Sequence, residues 1–565
     1  MDMEQQPDNN SNKNRKCTDI YAPIAWFILL FSVIAYCLIF SNSSILTKGR
    51  DECGNVCGEL NDGNLNDQCG PHDMRNYPKL LNQRHVNKSW IIEYKCVTDC
   101  PQNIPDNFIQ CWEKGDFLKV PNFLTDYGMK VNAFLRYMMT SWIGLGIYCA
   151  FSFLFSIIIL ILLRFIPQAT IWAIPILLTG LLFLLAVLSF AFSFDSSSDG
   201  IESYLYIYVG FFVIMMFVFV KKIILAGKIF GEMTKSMIKV PWILILPILT
   251  FLTLTILIAA FLFTSLWIET SGTFSPGTSE DGKFELKYEG TKIMKVIRIL
   301  NILTFAWLGN FIINCQHFII AGSVTKWYFT RDKSGLGGIN KSSVTNLVRF
   351  HLGSVCFGSV VVPVVRLIHF GFRIVKCIKA SVNFCFKGMQ PQRCNQEFDS
   401  IDKIFGIYTK SSYVLIDSHG TSFWESGKKS YDLVLENLGD IYWLNLFKDI
   451  LLLLNQMFVP FVGIFAGLFI VDSKASQFTA ISPASVDLIF TFLIAHCFFM
   501  AFGVTIDTIL LCCCIDFKEN SLESKSYFMR QEMRKLVMKI RKHHGLEVSL
   551  SQDEVTGNMM PMLDR

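Results

Sequence analysis

The chain of 565 residues is poor in charged side chains, because Asp, Glu, Lys and Arg make up only 17% of it. Soluble domains carry about 25%. Hydrophobic residues make up 52%, and a chain this apolar needs lipid to cover its surface. The composition therefore excludes a string of ordinary soluble domains and predicts an integral membrane protein. The small net charge of +5 gives no reason to expect a nucleic-acid partner.

The sequence also lacks a catalytic constellation. The segment Gly277–Lys283 follows most of the pattern of a phosphate-binding loop, but Phe284 stands where Ser or Thr would hold magnesium. His543 and His544 have no partners at zinc-ligand spacing, and no Gly-x-Ser-x-Gly elbow stands out. We therefore expect neither an enzyme nor a bound metal or cofactor.

Cysteine is distributed unevenly along the chain. Six of the 18 Cys lie in one polar stretch between the first two apolar segments: Cys53, Cys57, Cys69, Cys96, Cys100 and Cys111. An even number in one soluble block predicts disulfides in an oxidising compartment, and the alternative is six free thiols in a cytosolic loop. The same stretch carries Asn87-Lys88-Ser89, an N-glycosylation acceptor. We expect residues 41–140 to form an extracellular Cys-rich domain.

Nine apolar runs are clear candidates to cross the bilayer. They are 20–40, two runs within 141–192 divided at Arg164 and Pro167, 204–220, 241–267, 300–328, 352–371, 442–471 and 486–515. Each has about 17–30 apolar residues, enough for roughly 30 Å of hydrocarbon. Because open sheet cannot satisfy its backbone in lipid, the spans must be helices, and the fold class is all-α and polytopic.

Basic residues predict the orientation of these spans. Lys13, Arg15 and Lys16 precede the first span, and a basic helix follows the last one, so both termini are predicted to be cytosolic. Nine crossings would put the termini on opposite sides. The segments 326–349 and 373–430 are both basic and so are both predicted to be cytosolic, but one crossing between them at 352–371 cannot leave both on the same side. Either a weak further helix near 401–416 makes ten crossings, or 352–371 is re-entrant and the number of crossings is eight.

This orientation divides the chain into five parts. They are a cytosolic tail over 1–19, a first transmembrane helix over 20–40, the extracellular domain over 41–140, a helical membrane domain over 141–515 and a cytosolic tail over 516–565.

Polar side chains inside the spans are the candidate functional groups, because they are costly to bury in lipid. The run 300–328 is the richest: it holds Asn301, Trp307, Asn310, Asn314, Gln316 and His317. Asn310, Asn314 and His317 recur at helical spacing and form one polar stripe. The stripe serves either a solute path or hydrogen bonding between helices.

The last span carries two ionisable residues, His496 and Asp507. They are three helical turns apart and so lie on about the same face. Asp507 belongs either to a proton path or to an anchor at the cytosolic end of the span. Cys512, Cys513 and Cys514 follow, and they are either palmitoylation sites or small packing residues.

Several short motifs follow one another in a fixed order along the chain. The most specific is Arg349-Phe350-His351-x-Gly353-Ser354-x-x-Phe357-Gly358-Ser359. The others include Arg15-Lys16-Cys17-Thr18-Asp19-Ile20, Cys53-Gly54-Asn55-x-Cys57-Gly58, Trp307-x-x-Asn310-Phe311 and Ala495-His496-x-Phe498-Phe499. This series resembles the choline transporter-like family, and the resemblance covers nearly the whole chain after residue 15. The stretch 411–428 follows the family pattern only loosely and is more charged, with Asp417, Glu425 and Lys428.

The resemblance implies a fold and a function. It implies about ten helices, cytosolic termini and one large glycosylated outer loop in a protein of the plasma membrane. It also implies movement of choline, or of a related small organic cation such as ethanolamine, without sodium and down its gradient or against protons. Membrane lipid is the remaining expected partner.

The same resemblance suggests roles for particular residues. We expect Trp307 and Tyr328 to be aromatic contacts of the substrate and Asn310 and Gln316 to be polar groups that orient it. His496 and Asp507 form the expected proton-linked pair. The alternative function is a membrane-surface interaction or signalling protein, in which the Cys-rich loop binds a partner and the helices serve as an anchor.

Overall fold

The structure is a computed structural model, and it describes part of the chain. The described residues are 17–41, 51, 55–60, 73–84, 92–100, 109–112, 126–173, 176, 210, 227, 230–231, 242–278, 284–331, 339–364, 411–437, 441–468, 483–523, 528 and 534. Structural statements below concern these residues.

The described elements are mainly helices. The helices are α1 (Tyr21–Phe40), α2 (Asp126–Thr140), α3 (Trp142–Phe165), α4 (Trp242–Glu269), α5 (Lys292–Phe329), α6 (beginning at Ile339–Asn346), α7 (Ser412–His419), α8 (Phe423–Asn437), α9 (Ile441–Leu468) and α10 (Pro483–Glu523). The strands are β1 (Lys79–Arg84), β2 (Ile92–Val97), β3 (Ile109–Trp112), β4 (Thr273–Thr278) and β5 (Phe284–Glu289).

Six of the described helical segments are long and apolar enough to cross a membrane. They are Tyr21–Phe40, Trp142–Leu163, Ile243–Glu269, Lys292–Phe329, Lys341–Val364 and Ser485–Lys518. The polytopic helical class predicted from the sequence is thereby confirmed. The second run within 141–192, the run 204–220 and the weak further helix near 401–416 lie largely outside the described residues, so the number ten stays a prediction.

The predicted division of the long apolar tract 141–192 coincides with a break in the helix. α3 ends at Phe165, and Ile166 leaves the helical region with φ −132° and ψ 57°. Pro167 then begins a new helical segment over 167–173. Proline favours the first position of a helix, because its missing N–H would have no partner there.

The helix α6 is interrupted by a wider turn. A π-helical turn at Leu347–His351 follows its first eight residues, and the helix continues over 352–364. Single π-helical turns of this kind occur often at functional or tightly packed positions. This turn holds the start of the motif that most resembles the family.

The segment before α1 docks on that turn. The backbone N–H of Thr18 donates to the carbonyl of Phe350 at 3.2 Å. Asp19 has a positive φ of 54°. Its carboxylate accepts from Ser354 Oγ at 2.5 Å and from the backbone N–H of Phe423, at the start of α8, at 3.1 Å. The carboxylate therefore ties α1, α6 and α8 together, and it caps the N-terminus of α8.

The helix α10 is the core of the described bundle. In its span Ser485–Lys518, 89% of the most apolar stretch is buried within the protein, whereas the corresponding share for α1 is 17%. α10 packs on α3, α4, α5 and α9. Cys512, Cys513 and Cys514 are all buried in the main apolar cluster, so packing rather than surface acylation accounts for them in this structure.

A small sheet and a disulfide organise the Cys-rich region. β1 pairs antiparallel with both β2 and β3, and Leu80 lies opposite Cys96. Cys57 and Cys96 form a disulfide, and Cys100 is also disulfide-bonded. Cys53, Cys69 and Asn87 lie outside the described residues, and only the backbone of Cys111, in β3, is described.

A β-hairpin joins α4 and α5, where the sequence predicted a loop. β4 and β5 pair antiparallel, with Thr273 opposite Glu289. Gly277 of the phosphate-loop-like segment lies inside β4, so this segment is not the turn between a strand and a helix that phosphate binding requires. Beside the hairpin, Arg298 at the start of α5 forms an ion pair with the buried Glu269 at the end of α4.

Candidate functional site

Buried polar groups connect α5, α10 and α9 in the middle of the bundle. Gln316 of α5 is only 3% exposed, and its Nε2 donates to the carbonyl of Cys497 on α10 at 3.0 Å. The next residue towards the N-terminus of α10 is His496, whose Nδ1 lies 3.5 Å from Gln456 Oε1 on α9. The Phe492 ring stacks on the His496 ring. Three helices thus share one polar layer inside the apolar core.

A second polar face joins α3 to α9. Ser152 and Ser156 are four residues apart on α3, and both are fully buried. Gly463 of α9 packs against Ser152, since a Cβ at this position would lie 2.4 Å from Ser152 Oγ. Asn455 is eight residues before Gly463, on the same face of α9, and is also fully buried. We call the residues of these two faces the polar core: Ser152, Ser156, Gln316, Asn455, Gln456 and His496.

Several oxygen atoms of the polar core have no hydrogen-bond partner among the described residues. They are Ser152 Oγ, Ser156 Oγ, Gln316 Oε1 and Asn455 Oδ1. A buried polar atom without a partner costs about 1–3 kcal/mol, and inside a membrane such groups are tolerated where they line a path for a solute or water. The oxygens are acceptors, so the polar core has the chemistry to receive a hydroxyl group or an ammonium ion.

The predicted aromatic contacts, Trp307 and Tyr328, lie far apart. They are 21 residues apart on α5, or about 31 Å at a rise of about 1.5 Å per residue. Trp307 Nε1 donates to Ser359 Oγ at 2.9 Å and to the carbonyl of Cys356 at 3.1 Å, both on α6. Tyr328 donates its hydroxyl to Asp516 Oδ2 at 3.1 Å. The two rings cannot contact one small molecule together, and their polar atoms bind neighbouring helices.

The predicted polar stripe on α5 runs from the surface into the core. Asn310 is half-buried, and its amide donates to the carbonyl of Ala306 at 3.0 Å within the same helix. Asn314 and His317 are buried, and His317 Nδ1 lies 3.2 Å from Asn314 Oδ1. Of the four predicted substrate contacts, Gln316 is the one that the structure brings into the polar core.

The predicted proton-linked pair lies on one side of α10, but its members have separate partners. His496 faces Gln456, and Asp507 forms an ion pair with Lys448. Both partners belong to α9. His496 and Asp507 are 11 residues apart, about 16 Å along the helix, so a proton passing between them would need intermediate carriers.

Sequence reasoning missed another buried charge pair, at the junction of α5, α6 and α7. Lys326 Nζ lies 3.1 Å from Asp417 Oδ2 and donates to Ser343 Oγ at 2.9 Å. Asn346 Nδ2 donates to the other Asp417 oxygen at 2.9 Å. In the sequence, Asp417 stands out only as a departure from the family pattern. The sequence signal that could have revealed the pair is the position of this carboxylate, which directly follows the apolar residues 413–416 and precedes Gly420.

Comparison with known proteins identifies the family. A sequence model of the plasma-membrane choline transporter family matches residues 203–518, which is more than half of the chain. The chain belongs to this family. The match includes α4, α5, α6, α9 and most of α10, and so it includes Gln316, Asn455, Gln456 and His496 of the polar core.

Individual relatives extend the similarity beyond that region. The chain is 24% identical to choline transporter-like protein 1 of Mus musculus in an alignment of 446 positions, which covers 74% of this chain and 67% of the relative. It is 24% identical to choline transporter-like protein 3 of Bos taurus in an alignment of 619 positions, which covers 94% of this chain and 92% of the relative. It is 26% identical to choline transporter-like protein 2 of Dictyostelium discoideum in an alignment of 332 positions, which covers 58% of this chain and 52% of the relative. The protein is a choline transporter-like membrane protein.

Proposed function

We propose that the protein carries choline, or a closely related amine such as ethanolamine, across the plasma membrane through the polar core. The observation that supports this most directly is the set of unpartnered buried oxygens on α3, α5 and α9. Choline offers a hydroxyl donor and a permanent positive charge, and both suit acceptor oxygens. The printed names of the relatives point to the same substrate.

The proposed mechanism needs no covalent chemistry. A substrate in the polar core would be reached from one side of the membrane and then from the other, as the surrounding helices move. We place both termini in the cytosol, so α3, α5 and α10 run inward and α9 runs outward. Transport is proposed to be independent of sodium, with His496 and Asp507 available for exchange against protons.

Radiolabelled choline uptake tests the proposal. The protein is expressed in cells that lack choline uptake of their own, and its presence at the cell surface is measured in parallel. Uptake should persist when the external sodium is replaced by potassium. Exchange against protons predicts faster uptake when the cytosol is more acidic than the external medium, because protons can then leave the cell as choline enters. Absence of uptake above background, with the protein at the surface, contradicts the proposal.

A serine substitution tests the site itself. Ser156→Ala removes one unpartnered oxygen with little change in volume, and we expect choline uptake to fall about 2- to 10-fold, the loss of one hydrogen bond. Ser32→Ala is the matched control, because Ser32 Oγ donates to the carbonyl of Leu29 within α1. Equal uptake by the two variants would show that the α3 face does not contact the substrate.

A further inference from the structure

The carboxylate of Asp487 lies in the first turns of α10 and is only 4% exposed. Its Oδ2 accepts a hydrogen bond of 2.9 Å from the hydroxyl of Tyr137 on α2. Its Oδ1 is buried and has no hydrogen-bond partner among the described residues. The nearby hydroxyl of Thr491 is occupied, since it donates to the backbone carbonyl of Asp487 at 2.7 Å.

The other buried carboxylates in the described part of the chain have partners on both oxygens or a basic partner. Glu269 pairs with Arg298 and Asp417 with Lys326. Both oxygens of Asp51 and both oxygens of Asp516 accept hydrogen bonds. Asp487 forms no ion pair with a described residue. A carboxylate buried in a membrane protein without a cation is costly, and such a group is by default a functional one whose partner has to be identified.

One tyrosine contacts this carboxylate, and a second lies near it. Tyr148 of α3 is buried and lies within electrostatic range of both Asp487 and Tyr137. Tyr137 lies outside the membrane-spanning segments; burial and the Asp487 charge raise its pKa, so that its hydroxyl stays protonated and donates. A negative charge beside aromatic rings is the combination that binds quaternary ammonium ions, which are attracted to both.

The position of Tyr148 connects the carboxylate to the polar core. Tyr148, Ser152 and Ser156 follow one another at four-residue spacing and so share one face of α3. Asp487 is nine residues before His496 on α10, about 14 Å along the helix. The carboxylate and the two tyrosines therefore lie at the α2 end of the polar core.

We propose that Asp487, Tyr137 and Tyr148 form a recognition site for an organic ammonium ion, which the ion occupies before it reaches the oxygens of the polar core. The site selects a positive charge, whereas the polar core satisfies the hydroxyl group. This inference deepens the proposed function and rests on it for the identity of the solute. It also assigns a role to a carboxylate that the sequence analysis did not single out.

The test compares choline with its uncharged isostere, 3,3-dimethylbutan-1-ol, as competitors of choline uptake. Asp487→Asn keeps the shape of the side chain and removes the charge. We expect it to raise the KM for choline roughly 10- to 100-fold, the effect of losing a contact to a charged group, and to leave inhibition by the isostere nearly unchanged. Asp99→Asn is the control, because Asp99 is exposed and pairs with Lys79, and its KM should equal that of the wild type.

The outcomes separate this site from the proposed function. If the wild type transports choline, two results for Asp487→Asn refute the recognition site and leave the transport function standing. One is an unchanged KM for choline, and the other is an equal loss of apparent affinity for choline and for the isostere. If the wild type transports no choline, the site is tested on purified protein with tetramethylammonium as the probe. Thermal stabilisation of the wild type but not of Asp487→Asn then supports the site, and equal shifts, or no shift in either protein, refute it.

Discussion

Gly353 of α6 lies where the backbone before α1 crosses the helix, and replacing it with alanine tests this docking. A Cβ at Gly353 would lie 2.2 Å from the carbonyl oxygen of Thr18 and 2.6 Å from that of Asp19. Both are backbone atoms, so no side-chain rotation can relieve the contact. The alanine must displace either the segment or α6.

The expected loss follows from the contacts of the displaced segment. Overpacking costs about 1–3 kcal/mol where the structure adjusts locally. If the segment leaves, Asp19 loses the hydrogen bonds from Ser354 and from the N–H of Phe423, each worth about 1.5–3 kcal/mol for a charged group. Because alanine has a higher helix propensity than glycine, the substitution also stabilises α6 by up to about 1 kcal/mol, which offsets part of this loss. We expect Gly353→Ala to destabilise the protein by about 2–5 kcal/mol if the segment is displaced.

Gly309→Ala is the matched control, because it also lies in a membrane-spanning helix but has room for a methyl group. Its Cβ would be 3.7 Å from the nearest atom, Leu257 Cδ2, an ordinary contact. Purified proteins in detergent are heated, and the remaining monodisperse fraction gives an apparent Tm, while hydrogen exchange follows the amide of Thr18. Equal apparent Tm values for the two variants, with the Thr18 amide still protected, would refute the docking.

Three further predictions concern pairs of residues that the structure brings together. Asp507→Asn leaves the ammonium of Lys448 buried without its main partner and should lower the free energy of unfolding by about 3–5 kcal/mol. The double variant with Lys448→Met should recover much of this stability. If thermal unfolding shows that the losses of the two single variants add in the double variant, the ion pair is contradicted. Trp307→Phe removes two hydrogen bonds to α6 and should lower the apparent Tm with little change in the KM for choline, and a selective rise in KM would instead make Trp307 a substrate contact. Cys57→Ser removes the disulfide to Cys96 and should cost about 2–5 kcal/mol, seen as reduced surface expression, while Cys17→Ser, which changes an exposed thiol, should express normally.

The helical spans were predictable because their apolar runs are long and end at charged residues or proline. α3 ends where Arg164 and Pro167 predict, and α10 includes the run 486–515. The hairpin of β4 and β5 was missed, since Gly277 and the charged residues around it suggest a loop. Pairing between strands depends on register, which a mixed-charge sequence specifies weakly.

The candidate site was predictable only in part. Residue type and spacing indicated Gln316 and His496, because polar residues are rare in an apolar run. They could not show that Trp307 turns its indole nitrogen towards α6, or that Asp507 meets Lys448, since both depend on which helices are neighbours. Ser152 and Ser156 were missed because serine is common in membrane helices, where it usually bonds to its own backbone.

The burial of α10 also has a consequence for how the protein is made. α10 follows the other described helices in the chain, so it leaves the ribosome after all of them, yet it fills the space between α3, α4, α5 and α9. Until it arrives, those helices have their apolar and polar faces turned towards lipid or towards one another in temporary arrangements. A polypeptide cut before residue 483 would therefore lack the centre of its bundle rather than one peripheral helix, and it should be removed by quality control even though most of its spans are present.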